Sequence, residues 1–256
     1  MTLAIRLIAG WACLLMVAAL PVQAGGLLIM PTRLVLDAAP RTAELRLTNN
    51  STEPATYVLA LELRRMGGDG RIAAVERPDA RGEVALRMLA VTPETLTLPP
   101  GESARIAIIV RPPDDLASGE YRAHLLVRPA AAAGAPTGGG LSLQLTPTVS
   151  TAIPIIVRRG TSPPMVGIEG ARVVMGTKGA TLSFDLTRAG DASAFGDLRV
   201  TAPDGRTLAL RRGVALYPEI GRRHVSLLLD ADEVDAVDIA YLDTAGVRLA
   251  SARVEP

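Results

Sequence analysis

The chain has 256 residues, with 27 Lys and Arg against 26 Asp and Glu. That balance gives no basic footprint for nucleic acid, and a lone cysteine, Cys13, leaves no pair for a disulfide. Aromatic residues amount to 3%, so any core must be built from Leu, Val, Ile and Ala.

In chain order, residues 1–24 read as a secretory signal. Arg6 is the positive n-region, Leu7 to Leu20 the apolar run, and Val22-Gln23-Ala24 the small-x-small cleavage pattern. Cleavage before Gly25 leaves 232 residues with 26 basic and 26 acidic side chains, and removes Cys13. No later run approaches ~20 unbroken apolar residues, so a soluble exported chain is expected. It is long enough for two domains of ~100 residues. Lys178 is the only lysine; every other basic residue of the exported chain is arginine, apart from two histidines, His124 and His224.

Beyond the signal, the apolar residues alternate with the period of strands. Leu45 and Leu47, then either Val58 and Ala60 or Leu59, Leu61 and Leu63, mark pleated segments. RRMGGDGRI is a hairpin signal, because Gly67, Gly68 and Gly70 accept positive φ. Further strands are predicted at Val84–Val91, Thr95–Leu98, Ala104–Val110 and Glu120–Val127, separated by turns such as LPPGE and PPDDLASGE. The spacing predicts an antiparallel sandwich, and no helix of useful length. DADEVDAVD, the nearest helical candidate, reads as a loop or single turn.

After the small-residue run 130–140 comes LSLQLTPTVSTAIPIIV. Leu141, Leu143, Leu145, Val149, Ile153, Ile155 and Val157 share one parity, and the even positions up to Ala152 are mostly small or polar. Pro147 and Pro154 lack a ladder donor and favour an edge strand or strand breaks. Two readings stand here: a long edge strand kept for a partner, or an ordinary sandwich strand interrupted by a bend. RRGTSPP supplies a linker, and a second strand-rich block comes after it. Its candidates are Val166–Met175, Ala180–Leu186, Asp197–Thr201, Thr207–Leu210, His224–Leu229, Val237–Tyr241 and Val247–Val254, with TAPDGRT an Asp-Gly hairpin.

The blocks MPTRLVLD, ELRLTNNSTEPATYVLAL, VTPETLTLPPGESARIAIIVRPP and AIPIIVRRG, in this order and spacing, resemble the PapD-like periplasmic pilus and fimbrial assembly chaperones. The resemblance covers the first domain well and the second in outline. It implies an all-β chain of two immunoglobulin-like β-sandwiches: signal 1–24, first domain 25–158, linker 159–165 and second domain 166–256. It implies a periplasmic location, with pilus or fimbrial subunits and an outer-membrane usher as partners. No cofactor, metal, nucleic acid, small-molecule substrate or enzymatic activity is expected.

In that family a long strand is lent to an incomplete subunit, and here Leu141, Leu143, Leu145 and Val149 have the matching parity. The subunit's terminal carboxylate is held between an arginine and a lysine. Arg33 matches the arginine, whereas the lysine's place falls at Pro154, which donates nothing. Arg122, His124 and Arg158 are the candidate replacements. A second reading is a secreted two-sandwich structural or adhesive surface protein.

Overall fold

The computed structural model describes residues 26–130, 149–177, 179–231 and 236–255. The signal segment and Leu141, Leu143 and Leu145 lie outside the described residues. The first half contains β1 (Leu27–Met30), β2 (Leu34–Asp37), β3 (Arg41–Asn49), β4 (Ala55–Glu62), β5 (Arg64–Met66) and β6 (Ile72–Ala74). After these come α1 (Ala80–Arg87), β7 (Leu89–Thr92), β8 (Thr95–Leu98), β9 (Ser103–Val110), β10 (Gly119–Pro129) and β11 (Thr151–Arg159). The second half runs β12 (Met165–Gly176), β13 (Gly179–Ala189), β14 (Ala194–Thr201), β15 (Thr207–Leu216), β16 (Arg222–Leu228), β17 (Val237–Leu242) and β18 (Arg248–Val254).

In the first half, a sheet ordered β1-β3-β9-β7 faces one ordered β2-β11-β10-β4-β8. Alternation decides which residues meet between them, since successive side chains of a strand point to opposite faces. Leu45 and Leu47 on β3 and Ile106, Ile108 and Val110 on β9 pack with Leu59, Leu125, Val127, Ile155 and Val157. Of the two parities open for β4, Tyr57 and Leu59 are the buried one. The second half repeats the plan, with β12-β13-β16 against β15-β14-β17-β18. Its aliphatic core includes Leu182, Leu186, Leu198, Val200 and Ile239 around Phe184 and Tyr241. The chain is therefore two packed sandwiches, each with its own core.

Several sequence expectations are met closely. Thr95–Leu98 is β8, and RRMGGDGRI is the β5–β6 hairpin, closed by Gly67 N donating to Arg71 O at 2.8 Å. Of its glycines only Gly70 takes positive φ, at 79°. TAPDGRT turns at Gly205, with Asp204 Oδ1 accepting from Arg206 N at 2.9 Å.

The expected strand Val84–Val91 is instead α1 followed by the short β7, and the expectation of no useful helix is wrong here. Asp79 caps α1, its carboxylate accepting from Gly82 N at 2.6 Å, and Pro78 precedes the cap. Glu83 and Arg87 suit the two ends of the helix dipole. Ala85 and Met88, three apart, face the core, so the apolar residues here follow a helical rather than a pleated period.

The described part of the long strand is β11, and it is no free edge. It runs antiparallel to β10 along its whole length and parallel to β2 over Ile155–Arg158. Thr151–Pro154 have β10 as their only neighbouring strand, so Pro154 sits one residue before the doubly paired part, where a missing N–H is tolerated. Val149 precedes β11, is in no strand and is 79% exposed. Arg158 and Arg159 of the expected linker sequence continue β11, and Gly160–Pro164 make the connection.

Candidate functional site

Arg33 stands where the chain leaves β1 in one sheet of the first sandwich and enters β2 in the other. Its fork crosses to the second sandwich. Nη1 donates to the Tyr217 hydroxyl at 3.1 Å and Nη2 to Ser193 Oγ at 2.9 Å. The guanidinium lies 4.6 Å from the centroid of Phe195 and 5.5 Å from that of Tyr217, a cation–π arrangement. Burial, and then the positive charge of Arg158, lower its pKa from the usual arginine value. Among the described residues it makes no ion pair, unlike Arg122 and Arg158.

Arg158 lies beside it on β11. Its Nε donates to Glu120 Oε2 at 3.0 Å, and its Nη2 to Ser193 O at 3.0 Å and Ser193 Oγ at 3.1 Å. Glu120 Oε2 also accepts from Ser193 N and Ser193 Oγ, both at 2.9 Å. The serine hydroxyl thus donates to the carboxylate and accepts from two arginines. Arg33 and Arg158 together line a groove of about 670 Å³ with Val35, Pro163, Phe195 and Leu249.

Arg122 is placed differently. Its side chain is 4% exposed and paired with Glu219 in the turn after β15. Nη1 donates to Glu219 Oε2 at 3.2 Å, Nη2 donates to Glu219 Oε1 and to Arg64 O, and the fork lies 3.5 Å over Tyr217. Burial pushes the Glu219 carboxyl up, but the hydrogen bond and charge of Arg122 outweigh it, and the net shift is downward. Glu219 Oε1 also accepts from Met66 N at 2.8 Å. A small apolar cluster of Met66, Ile156, Ala215 and Tyr217 packs in the same seam.

On the other side of Arg33 is a pocket of about 430 Å³, lined by Arg33, Arg64, His124, Pro154, Phe195 and Arg223 among others. His124 on β10 lies opposite Pro154 on β11 and Glu62 on β4. It is 1% exposed, and neither ring nitrogen has a partner. Burial first, and then Arg122, Arg64, Arg65 and Arg33, lower its pKa to about 3, so the ring is neutral.

The structure thus brings Arg33, Arg122 and Arg158 into one seam, with Val149 apart from it. Sequence reasoning missed Ser193, Phe195, Tyr217, Glu219 and Arg223, all from the second sandwich. One signal was available: with two Phe and four Tyr in the chain, an aromatic at a strand end beside a turn, such as Tyr217 before Pro218, points to a specific contact. Among the described residues no group of three or more His, Cys, Asp or Glu is placed to hold a metal.

No protein-family model matches the chain, and no curated protein matches it. Solved structures do. The E. coli chaperone DraB aligns over 90% of this chain and 96% of its own, at 16% identity and a TM-score of 0.51. The chain has the fold of that chaperone. The Pseudomonas aeruginosa CupB2 chaperone aligns over 89% and 99% at 15% identity and a TM-score of 0.49. The SafB chaperone of Salmonella enterica, in complex with SafA pilin, aligns over 91% and 97% at 13% identity and a TM-score of 0.47. At such identities the DraB likeness is one of fold: an all-β pair of immunoglobulin-like sandwiches over nearly the whole of both chains.

Proposed function

We propose that this chain is a periplasmic chaperone that holds pilus or fimbrial subunits and passes them to an outer-membrane usher. The observation that carries this reading is Arg33, a half-buried guanidinium at the seam of two sandwiches with no carboxylate partner among the described residues. A rigid fork held by neutral groups, Tyr217 and Ser193, keeps its charge for an incoming carboxylate. A chain terminus is such a group, and the apolar groove beside Arg33 and Arg158 suits the residues that precede it. The two-sandwich fold shared with a chaperone supports the same reading.

On this reading Arg158, held by Glu120, stands beside Arg33 on the groove side, and Arg122 sets the angle between the domains. Leu141, Leu143, Leu145 and Val149 lend alternate apolar side chains to the subunit's open groove, with main-chain hydrogen bonds beside them.

The test is Arg33→Ala in the exported chain, co-expressed with a pilus or fimbrial subunit that the wild type recovers. The variant is expected to keep its β-type circular dichroism and to recover at most about a tenth of the subunit recovered by the wild type, the loss of one charge-assisted pair. Full recovery would remove Arg33 from the reading.

A further inference from the structure

The pocket behind Arg33 holds more unanswered polarity than any other place among the described residues. Both nitrogens of His124 and Nε of Arg223 are buried without partners, and both residues line it. So do Arg33 and Arg64, while no Asp or Glu does. Arg64 is paired with Glu62, which lies outside the lining. Buried polar atoms without partners are strongly disfavoured, and the cations Arg33, Arg64 and Arg223 give the pocket a single sign of charge whose complement is an anion. The walls also include Met66, Ile72, Pro154 and Phe195, which fit an apolar group better than a second charge.

We propose that His124 is a carboxylate-binding residue of this cleft, acting with Arg33 on a carboxylate that carries an apolar group, and that binding takes up one proton on its ring. This rests on the chaperone reading, in which the carboxylate is the C-terminus of a held polypeptide. β11 offers only Pro154 at this level, and His124 is its direct neighbour on β10. The polar group that β11 lacks is thus available one strand over.

The proton uptake has its cause in the surroundings. Facing His124 are Arg122 on its own strand, Arg64 and Arg65 on β5, Arg33 from the β1–β2 connection and Arg223 on β16. Glu62 on β4 is the one acid in register with it, and Arg64 holds that acid. With the pocket empty, burial and these cations keep the imidazole neutral. A bound carboxylate adds the missing negative charge, the ring draws a proton from solvent, and an imidazolium–carboxylate pair forms. Affinity therefore rises as pH falls.

His124 and His224 are the only histidines, so ring NMR on the exported chain reads the site directly, with His224→Gln assigning the peaks. The probes are 4-methylpentanoate, its amide, and an eight-residue Val/Thr peptide ending in Leu with a free or amidated C-terminus. The acid and the free peptide are expected to raise the titration of His124 by about two and a half pH units or more, with no response to the amides or from His224. Arg33→Ala should abolish the shift. Wild-type affinity for the peptide should be about fivefold or more higher near pH 5 than near pH 7.5. His124→Gln, which hydrogen-bonds but does not titrate, should bind with a flat pH profile. An unmoved His124, or an unchanged pH profile in His124→Gln, overturns the proposal while leaving subunit capture by Arg33 standing. A shift with the small acid but no added affinity for the peptide, together with no subunit capture by the wild type, keeps the carboxylate site and overturns the chaperone reading.

Discussion

Two stretches of the same seam treat arginine in opposite ways. Along one, Arg122 meets Glu219 and Arg158 meets Glu120, each charge answered across or beside the interface. Along the other, Arg33 and Arg223 rest on Tyr217, Ser193 and a backbone carbonyl, with neutral His124 lining the same pocket. Both stretches draw on β10, and Arg122, His124 and Arg223 are all buried, so burial alone does not separate them. The presence of a carboxylate does. Answered charges fix how the sandwiches dock, and unanswered ones leave attraction to spare for a ligand.

Removing an answer should therefore cost most. Arg122→Ala leaves Glu219, whose side chain is 22% exposed, beside apolar surface, and is expected to destabilise by about 3 kcal/mol. Urea unfolding of the variant checks this, and adding Glu219→Ala should restore part of the loss, because the two substitutions share one interaction. Additive losses would mean that the pair does not couple the domains.

The next effect belongs to the unanswered side. An unfolded His124 takes its proton near the ordinary histidine value of 6.5, the folded one only at about 3. Between those values the unfolded chain holds the extra proton, so acid favours unfolding. Stability conferred by the neutral ring is complete above pH 6.5 and declines by up to about 1.4 kcal/mol per pH unit below it. Thermal midpoints measured from pH 7.5 down to pH 4 should fall more steeply for wild type than for His124→Leu. The smallest effect lies at the margin of the cluster. Asp79→Ala removes both the α1 cap and the partner of Arg65 and should cost about 1 kcal/mol in the same assay.

The fold was largely readable because a two-residue period is written locally. Leu45, Leu47, Ile106 and Ile108 announce an inward face whatever their partners. The misread element, α1, has an apolar sequence short enough to suit either period, and its deciding signal was Asp79 three residues before Gly82 rather than the apolar residues themselves. The site was half readable. Arg33 carried a motif, but the groups that define its chemistry come from the second sandwich, 160 or more positions away. No local pattern specifies such a meeting. His124 and Pro154 illustrate the same limit, since only strand register makes them neighbours.

The hairpin between β5 and β6 reaches across the same seam, where Gly68 O accepts from His224 N at 2.9 Å. At its tip Gly70 has φ 79°, and a Cβ there would overlap the guanidinium of Arg223. Hairpin tips are ordinarily where a sandwich drifts most freely over evolutionary time. This one has no such licence. Any side chain at position 70 would strain the turn and displace a cleft arginine together, so while Arg223 holds its place this tip is bound to glycine, and a change in the loop there is also a change in the pocket.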